Sequence, residues 1–414
     1  FAGFGFPKAH SAAFGLLAYQ STWLRVHYGP EFLCALLNEQ PMGFYAPDSL
    51  VHEAEGRGIT VLPVDVNASS VECGVEDGGV RLGLGYIKGA AAADVRALVA
   101  ERRRGGPFRS AGELAARCGA ARPTLERLAW AGACDGIVAG HAVAVADTSR
   151  ARRRLALWQM GIAAPGRAAA DGTQLALPLE LPPAPRLRPL SRWQKLLADY
   201  ASTGVTVGDH VMAALRPRLT VHRLATSAQL ARLPQGCAVS VAGLVIARQR
   251  PGTARGTMFL LFEDEWGTIN LIVPRAVYER HRPLARAEPL LLAHGRLERS
   301  TGETVRRLSE AAAGRAREGG AGAGRAGEGD AGVGRAGEAE RVPPVVNVVV
   351  HELLALERFV ALEDAPAPAQ VHRLPQQPRA ADADGADAHD PAAVGAGLRA
   401  VVPPVQSFAA GRRR

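Results

Sequence analysis

The sequence predicts a multidomain protein: a mainly α-helical region comes first, a small all-β barrel of the OB type follows, and a Gly/Ala/Arg-rich insertion and tail are disordered. Apolar residues recur at spacings of three and four over residues 7–40, and this helical pattern returns over 80–136. From residue 236 onward the pattern changes to that of short strands. Residues 314–341 and 365–414 have a low-complexity composition that cannot bury a core.

Composition and charge narrow the class of protein without identifying a partner. Hydrophobic residues make up 47% and charged residues 21%, and no apolar run reaches the roughly 18 residues that a membrane span needs. We therefore expect a cytoplasmic protein that does not bind a membrane. The formal charge of +9 favours an anionic partner. The cysteines are odd in number and lack CxxC spacing, which favours reduced thiols and predicts no metal site: Cys34, Cys73, Cys118, Cys134 and Cys237.

The first predicted domain covers residues 1–78 and begins with a turn that runs into an Ala-rich helix. Lys8, His10 and Ser11 lie where this loop becomes a helix, beside the unpaired amides of a helix start. Such a position suits a phosphate group, although a capped helix with solvated charges has the same pattern. A second helix is expected from about Pro30, then a short helix, and then a short strand.

The second predicted domain, residues 79–136, has the pattern of a helix-hairpin-helix DNA-binding module. A tight hairpin between two helices presents backbone amides to one DNA phosphate, and glycine permits the close approach. At the second glycine position of that pattern the sequence has Ala91, which costs about 1 kcal/mol if the position needs a positive φ. The candidate DNA-binding residues are Gly85, Lys88, Gly89, Arg102, Arg103 and Arg104.

Two less regular segments separate this module from the barrel. Residues 137–190 are rich in Ala, Arg and Pro without a periodic core, so most of the segment is expected to be a linker. Residues 191–235 contain two short helical patterns around a Gly turn, which predicts a helical connector.

The barrel is predicted over residues 236–356. Four strand patterns, with a short helical piece before the fourth, outline an OB-type barrel. The fifth strand is expected within 345–356, and the alternative is the more charged Thr304–Leu308. A disordered insertion is expected at about 301–343 and a disordered tail over 357–414.

An exposed strand face of this barrel is a candidate site for single-stranded nucleic acid. Such sites combine basic side chains with aromatic side chains on which bases stack. OB barrels also serve as protein contacts, so both interpretations stay open. The available side chains are Arg248, Arg250, Arg255, Phe259, Phe262 and Trp266.

Three stretches carry a family resemblance. "FAGFGFPKAHSAAFGLLAYQSTWLRVHYGPEFLCALLNEQPMGFY" and the following "GITVLPVDVNAS" resemble the fingers of bacterial C-family DNA polymerases, the polymerase III alpha subunits. The "QPMGFY" step and "LADYASTGVTVGDHVMAALRPRL" resemble the error-prone, damage-tolerance branch. The resemblance covers residues 1–136 and roughly 191–300. It implies the C-terminal portion of such a polymerase, with residues 1–78 as part of the fingers.

The resemblance implies roles for several residues. Lys8, His10 and Ser11 would line the triphosphate of the incoming nucleotide, and Phe14 would pack against its sugar. The parent polymerase would use dNTPs and Mg²⁺ ions, which activate the primer hydroxyl. In this family the metal-binding carboxylates lie in a palm domain that precedes the fingers. We therefore expect no catalytic residue in this chain and no activity from it alone.

The resemblance also implies partners. "QLALPL" in the predicted linker is similar to the peptide by which bacterial polymerases dock on the sliding clamp, with Gln174, Leu175, Leu177 and Leu179 as anchors. Primed or single-stranded DNA and other damage-response polymerase proteins are further expected partners. The alternative function is that of a non-catalytic, DNA-binding or clamp-tethered accessory protein.

Overall fold

The computed structural model describes residues 8–41, 45–138, 148–163, 187–219, 223–300, 345–356, 359 and 407–409. The chain forms two compact units. The first consists of Phe1–Leu219 with Glu357–Gln406, and the second of Thr220–Leu356 with Ser407–Arg414.

The first unit is mainly α-helical and includes a small three-stranded sheet. A 3₁₀ turn, Leu84–Tyr86, leads from the sheet into the fourth helix. The helices are α1 (Lys8–His27), α2 (Gly29–Asn38), α3 (Pro47–Gly56), α4 (Ala92–Gly105), α5 (Ala111–Cys118), α6 (Arg122–Trp130), α7 (Thr148–Ala163), α8 (Arg192–Ser202) and α9 (Val211–Leu219). The strands are β1 (Val61–Leu62), β2 (Gly74–Glu76) and β3 (Gly79–Arg81).

Leucines at helical spacing form the core around α4, α5 and α6, as the apolar period predicts. Leu98, Leu114 and Leu125 are fully buried. Ser110 caps α5 by accepting a hydrogen bond from the amide of Glu113, and Gly119 ends the helix at a φ of 58°. Local capping and apolar periodicity therefore agree, and they fix the frame on which the hairpin lies.

The sheet contains a β-hairpin that the helical interpretation of residues 80–136 did not anticipate. Asp77 and Gly78 form the two-residue turn with φ values of 49° and 75°. Both values are positive, as a type I′ turn requires, and the Asp-Gly pair is the sequence signal for it. Strand β3 pairs in parallel with β1, so the predicted strand near residue 61 lies in this sheet.

The aromatic side chains of α1 differ from their expected environment. Their helical spacing favours core positions for Tyr19, Trp23 and Tyr28, but these side chains are 68%, 43% and 48% exposed. Within the described residues, α1 lies against α2, and its side chains from His10 onward are exposed. Within the described residues, the apolar side chains of α1 are therefore exposed and not part of a core.

Helix α7 lies within the segment for which the sequence predicts mostly linker. It packs against α5 and α6 and buries Ala156 and Met160. Arg153 on α7 donates to the Asp199 carboxylate on α8 at 2.7 Å, which joins two helices of the first unit. The proposed clamp peptide, Gln174 to Leu179, lies outside the described residues.

The second unit is a closed five-stranded barrel, which confirms an OB-like architecture. Its strands are β4 (Ala238–Arg250), β5 (Met258–Asp264), β6 (Gly267–Val273), β7 (Leu290–Ser300), β8 (Val345–Ala355) and the short β9 (Ser407–Ala409), and helix α10 (Ser227–Leu230) precedes them. The first five close the barrel in the order β4–β5–β6–β8–β7–β4, with β6 and β8 parallel and the other pairs antiparallel. Two short helices, α11 (Arg275–Arg280) and α12 (Arg282–Ala287), precede β7, the fourth barrel strand.

The fifth barrel strand is β8, at the position that the sequence favours. It pairs with β7 along its length and with β6 over Asn347 to Val349. The alternative, Thr304–Leu308, lies outside the described residues, as does the expected insertion. Strand β9, within the predicted disordered tail, adds to β4 in parallel, with Ser407 opposite Arg248.

Candidate nucleic-acid interface

The hairpin before α4 depends on a glycine with a left-handed backbone. Gly89 has a φ of 71°, and a Cβ atom there would lie 2.6 Å from the Cζ atom of Arg127. Arg127, on α6, also donates to the carbonyl of Lys88 at 3.2 Å. Only glycine fits this position without strain, so the predicted glycine marks the turn itself.

The alanine at the second glycine position of the motif carries no backbone penalty. Ala91 has a φ of −67° and a ψ of 127°, which is ordinary extended geometry. It is the N-cap residue of α4, and Ala92 and Ala93 in the first turn are exposed. The condition for the expected cost of about 1 kcal/mol, a positive φ, is therefore not met.

Gly85 is shaped by packing against the protein backbone. Its amide donates to the carbonyl of Val71 at 2.8 Å, and a Cβ atom would come within 2.9 Å of that oxygen. The glycine thus allows the 3₁₀ turn to approach the 70–73 segment. Gly85 therefore binds the protein's own backbone at Val71.

Lys88 is an exposed residue, but its amino group and its backbone amide both bind carbonyls of the first unit. Its Nζ atom donates to the carbonyl of Tyr200 at 2.8 Å, and its backbone amide donates to the carbonyl of Ser202 at 2.7 Å. Burial lowers the pKa of the amino group, and the nearby Asp48 carboxylate opposes that effect. Both donors therefore bind the end of α8.

The three arginines at the end of α4 have different environments. Arg102 donates to the carbonyls of Val66 and Ser69, each at 2.8 Å, and so holds a loop. Arg104 pairs with Glu101 at 2.7 Å, although its side chain is 82% exposed. Arg103 is exposed and forms no hydrogen bond with another described residue. Arg103 and Arg104 are therefore the two that face solvent.

The barrel exposes a strand face that is aromatic, aliphatic and amide in character. Phe259 on β5 is 37% exposed and lies opposite Ile272 on β6. Asn270, two residues before Ile272 on β6, is also exposed. Trp266, in the turn between the two strands, is 57% exposed, whereas Phe262 is fully buried. Phe259 and Trp266 are thus the predicted aromatics that solvent reaches.

Of the three predicted basic residues of the barrel, Arg255 is exposed, whereas Arg248 and Arg250 are less accessible to solvent. Arg248 is 3% exposed and donates to the carbonyls of Ala285 and Glu288 at 3.0 and 2.5 Å. Burial lowers the pKa of its guanidinium to about 10. Its side chain braces the barrel, so we leave it out of the DNA-binding surface. Arg250 is half-buried and lies 4.5 Å over the ring of Tyr278, at the end of β4.

The predicted nucleotide-binding residues lie in the first part of α1. The helix begins at Lys8, whose side chain lies outside the described residues. His10, Ser11 and Phe14 are exposed on the first turns. The rings of His10 and Phe14 meet edge-to-face, with centroids 4.4 Å apart, so these two side chains share one side of the helix.

Three carboxylates of the described residues, two buried and one half-buried, are bound by other protein groups and do not fit a Mg²⁺ site. Asp48 accepts from Tyr200 and from the amide of Thr206, each at 2.8 Å. Asp264 accepts from the amide and the hydroxyl of Ser227 at 2.7 and 2.6 Å. Asp199 is paired with Arg153. We therefore derive no metal-dependent step from these residues.

Comparisons with known proteins agree with this geometry. The family model "Helix-hairpin-helix motif" matches residues 58–143, which contain the Gly89 hairpin and α4 to α6. An error-prone DNA polymerase of Anaeromyxobacter sp. (strain K) is 43% identical over 314 residues. One from Teredinibacter turnerae is 41% identical over 311 residues. This chain is a relative of the error-prone DNA polymerases.

The match to the error-prone DNA polymerases covers 72% of this chain and 26% of the Anaeromyxobacter polymerase, and 73% and 28% in the Teredinibacter case. The chain thus corresponds to about a quarter of the length of these relatives. The resemblance that the motifs predict is confirmed at the level of the family. None of the described helices is long and apolar enough to cross a lipid bilayer.

A solved structure, the asparaginyl-tRNA synthetase from Pyrococcus horikoshii, is 22% identical over 16% of this chain and 16% of that one. The TM-score is 0.14. A similarity this limited supports no argument about the present chain.

Proposed function

We propose that this chain holds primer–template DNA for an error-prone DNA polymerase that acts in damage-induced mutagenesis and translesion synthesis. The observation that carries the proposal is the hairpin at Gly89, which lies inside the region that matches the helix-hairpin-helix family. The relatives' name supports a polymerase role for the parent protein. Template-directed transfer of nucleotides to a primer 3′ end is proposed for that whole polymerase.

The hairpin region binds the duplex through phosphate groups. Hairpins of this kind offer backbone amides to one phosphate, and helix starts favour the negative charge. The backbone at Gly89 and the exposed first turn of α4 form that contact. Arg103 and Arg104, at the other end of the same helix, face solvent and extend the contact along the phosphate backbone.

The barrel binds single-stranded template through its neutral strand face. Bases stack on aromatic side chains without regard to sequence, and Phe259 and Trp266 are exposed on or beside β5 and β6. Arg250, at the end of β4, supplies a cation close to the strands. A protein partner would use the same apolar face, so binding of single-stranded DNA by the wild-type chain and by Phe259→Ala is the test of this proposal.

In the parent polymerase, Lys8, His10 and Ser11 contact the triphosphate of the incoming dNTP, and Phe14 packs against its sugar. Mg²⁺ supplies activation of the primer hydroxyl when it is bound by the palm that the resemblance implies. Primer extension by this chain alone, with Mg²⁺ and dNTPs, should therefore fail. Primer extension by this chain alone would mean that the chain contains a metal site of its own.

The sliding clamp is the proposed partner of the segment before the connector. Gln174, Leu175, Leu177 and Leu179 have the spacing of a short extended anchor, which suits a peptide that docks in a pocket. The other proteins of a damage-response polymerase complex are proposed partners on the same grounds of resemblance.

Binding of fluorescent primed DNA at increasing salt tests the duplex proposal. Phosphate contacts predict a steep loss of affinity, with a log–log slope of about −0.9 for each phosphate that is neutralised. Arg103→Ala should reduce the magnitude of that slope by about one. Arg57→Ala is the matched control, because Arg57 is also exposed but pairs with Glu53 on α3. Absence of binding by the wild-type chain would overturn the proposal.

A further inference from the structure

Lys88 has the sequence position of a phosphate ligand, but its amino group and its backbone amide each bind a carbonyl group of the protein. The amino group donates to the carbonyl of Tyr200, and the backbone amide donates to the carbonyl of Ser202. These two carbonyls belong to residues 200–206, which end α8 and which we term the bracket turn. The hairpin is therefore joined, through one residue, to a segment more than a hundred positions further along the chain.

The bracket turn is rigid because its own polar groups are paired. The Thr203 hydroxyl lies 3.0 and 2.9 Å from the carbonyls of Asp199 and Val205 and donates its one proton to either of them. Gly204 continues the turn at a φ of 78°. The Ser202 hydroxyl donates to the carbonyl of Ala198 at 2.5 Å. The carbonyls of Tyr200 and Ser202 are thus held in fixed places for Lys88.

A buried carboxylate fixes the bracket turn from the other side. Asp48, at the start of α3, is 3% exposed. It accepts from the hydroxyl of Tyr200 and from the backbone amide of Thr206, each at 2.8 Å. His52, one helical turn later, lies 3.0 Å from the Thr206 hydroxyl through its Nε2 atom. Both ends of the turn are therefore tied to α3.

The backbone of Gly204, in the bracket turn, lies close to the side chain of Lys88. A Cβ atom at this position would lie 2.9 Å from the Nζ atom of Lys88 and 3.1 Å from its Cε atom. Gly208 also has a left-handed backbone, with a φ of 67°, but a Cβ atom there meets nothing within 4 Å. The two glycines differ mainly in whether a methyl group would press on Lys88.

We propose that Lys88 is a positioning residue: it orients the hairpin for DNA by binding the bracket turn and does not itself contact a phosphate. The inference rests on the proposed function, because it assigns the orientation of the same DNA-binding hairpin. It also assigns a task to the "LADYASTGVTVGDHVM" segment, whose bracket turn holds the hairpin in place.

The experiment compares Lys88→Ala, Gly204→Ala, the double variant and the control Gly208→Ala in the full chain. Loss of the contact should reduce affinity for primed DNA about three- to tenfold, the size of the net contribution of one typical hydrogen bond. Lys88→Ala should leave the salt slope unchanged, whereas a lost phosphate contact would change it by about one. Gly204→Ala removes no charge and should have the same effect, and the double variant should be no worse than Lys88→Ala.

Hydrogen exchange of the Lys88 amide gives a second measurement that needs no DNA. This amide is protected by the Ser202 carbonyl, so it should exchange faster in Lys88→Ala and Gly204→Ala and at the wild-type rate in Gly208→Ala. Protected core amides elsewhere in each variant would show that it is folded. An unchanged exchange rate of the Lys88 amide in both Lys88→Ala and Gly204→Ala would overturn the inference.

The outcomes separate this inference from the proposed function. If the wild-type chain binds primed DNA and Lys88→Ala reduces the salt slope by about one, Lys88 contacts a phosphate and the positioning role is wrong. If Gly204→Ala binds DNA as tightly as Gly208→Ala, the bracket turn does not orient the hairpin. If the wild-type chain does not bind DNA, the proposed function itself fails.

Discussion

Around α4 the first unit exposes a backbone turn at one end of the helix and arginine at the other, whereas the β5–β6 face of the barrel exposes aromatic, aliphatic and amide side chains. In both regions some cations bind carbonyl groups: Lys88 and Arg102 in the first unit, Arg248 in the barrel. Arg103, at the end of α4 away from the hairpin, and the surface around Phe259 on the barrel are exposed to a ligand. The first is suited to phosphate groups and the second to bases.

This difference has a measurable consequence, because the two kinds of contact respond differently to salt. Contacts with phosphate release counterions and weaken steeply as salt rises. Stacking on an aromatic ring depends on apolar area and weakens little. Substitutions in the two regions should therefore separate into those that change the salt slope or the hairpin's shape and those that change affinity at all salt concentrations.

The largest effect is expected at the turn of the hairpin. Gly89→Ala forces a side chain onto a left-handed backbone and displaces the guanidinium of Arg127 from the Lys88 carbonyl. The two costs together should lower the free energy of unfolding by about 2–3 kcal/mol. Urea denaturation measures this, and duplex binding should fall with it while single-strand binding by the barrel persists.

Gly78→Ala is the matched control for that substitution. Gly78 also has a positive φ, 75°, but a Cβ atom there meets nothing within 4 Å. It should show the backbone strain alone, about 1 kcal/mol, with duplex binding retained. Equal losses of stability and binding at both positions would mean that the Arg127 contact contributes nothing to the hairpin.

The same residues explain how far sequence reasoning reaches. Helix periods, the Gly89 turn and the positions of the barrel strands along the chain follow from local patterns, because apolar spacing and turn chemistry are properties of neighbouring residues. The hairpin at Asp77-Gly78 was missed although its Asp-Gly pair predicts a type I′ turn. Helix α7 was missed because its Ala- and Arg-rich sequence gives a weak apolar period.

The group that a basic side chain binds cannot be predicted from the local sequence pattern. Lys88 is directed at carbonyls of residues more than a hundred positions away, and Arg248 at carbonyls at the end of α12. Such pairings depend on tertiary packing, so sequence reasoning predicts a cation but not its partner. The exposed α1 aromatics are the converse case: apolar spacing indicates a buried face but does not say which segment covers it.

The second-largest expected effect is on the free energy of unfolding of the first unit, which depends on pH through the partly buried carboxyl group of Asp135. Burial raises the pKa of Asp135 from 3.8 to about 6, and the neighbouring Arg153 opposes the shift. The Oδ1 atom of Asp135 has no hydrogen-bond partner among the described residues. Because the folded pKa is raised, the neutral acid stabilises the fold at low pH, and that contribution is lost as pH rises through about 6.

Asp135→Asn should therefore stabilise the chain at both pH values, and more at pH 8 than at pH 5, because the loss begins near the unfolded pKa of 3.8. The difference between the two pH values should be about 1–2 kcal/mol, one pKa unit being about 1.4 kcal/mol. Urea denaturation of both proteins at the two pH values measures it. A variant that is equally stabilised at pH 5 and pH 8 would show that the carboxyl group does not titrate between them.

The smallest effect is expected on the barrel and tests the neutral half of the comparison. Phe259→Ala removes an exposed ring from the β5–β6 face and should weaken binding of single-stranded DNA by about 1 kcal/mol, or roughly fivefold. Because no charge is removed, the loss should be the same at low and high salt. Val75→Ala, which removes a comparably exposed apolar side chain from β2, should leave binding unchanged. Equal affinity in wild type and Phe259→Ala would mean that the barrel face does not stack with bases, and the hairpin region would then account for all the DNA binding of this chain.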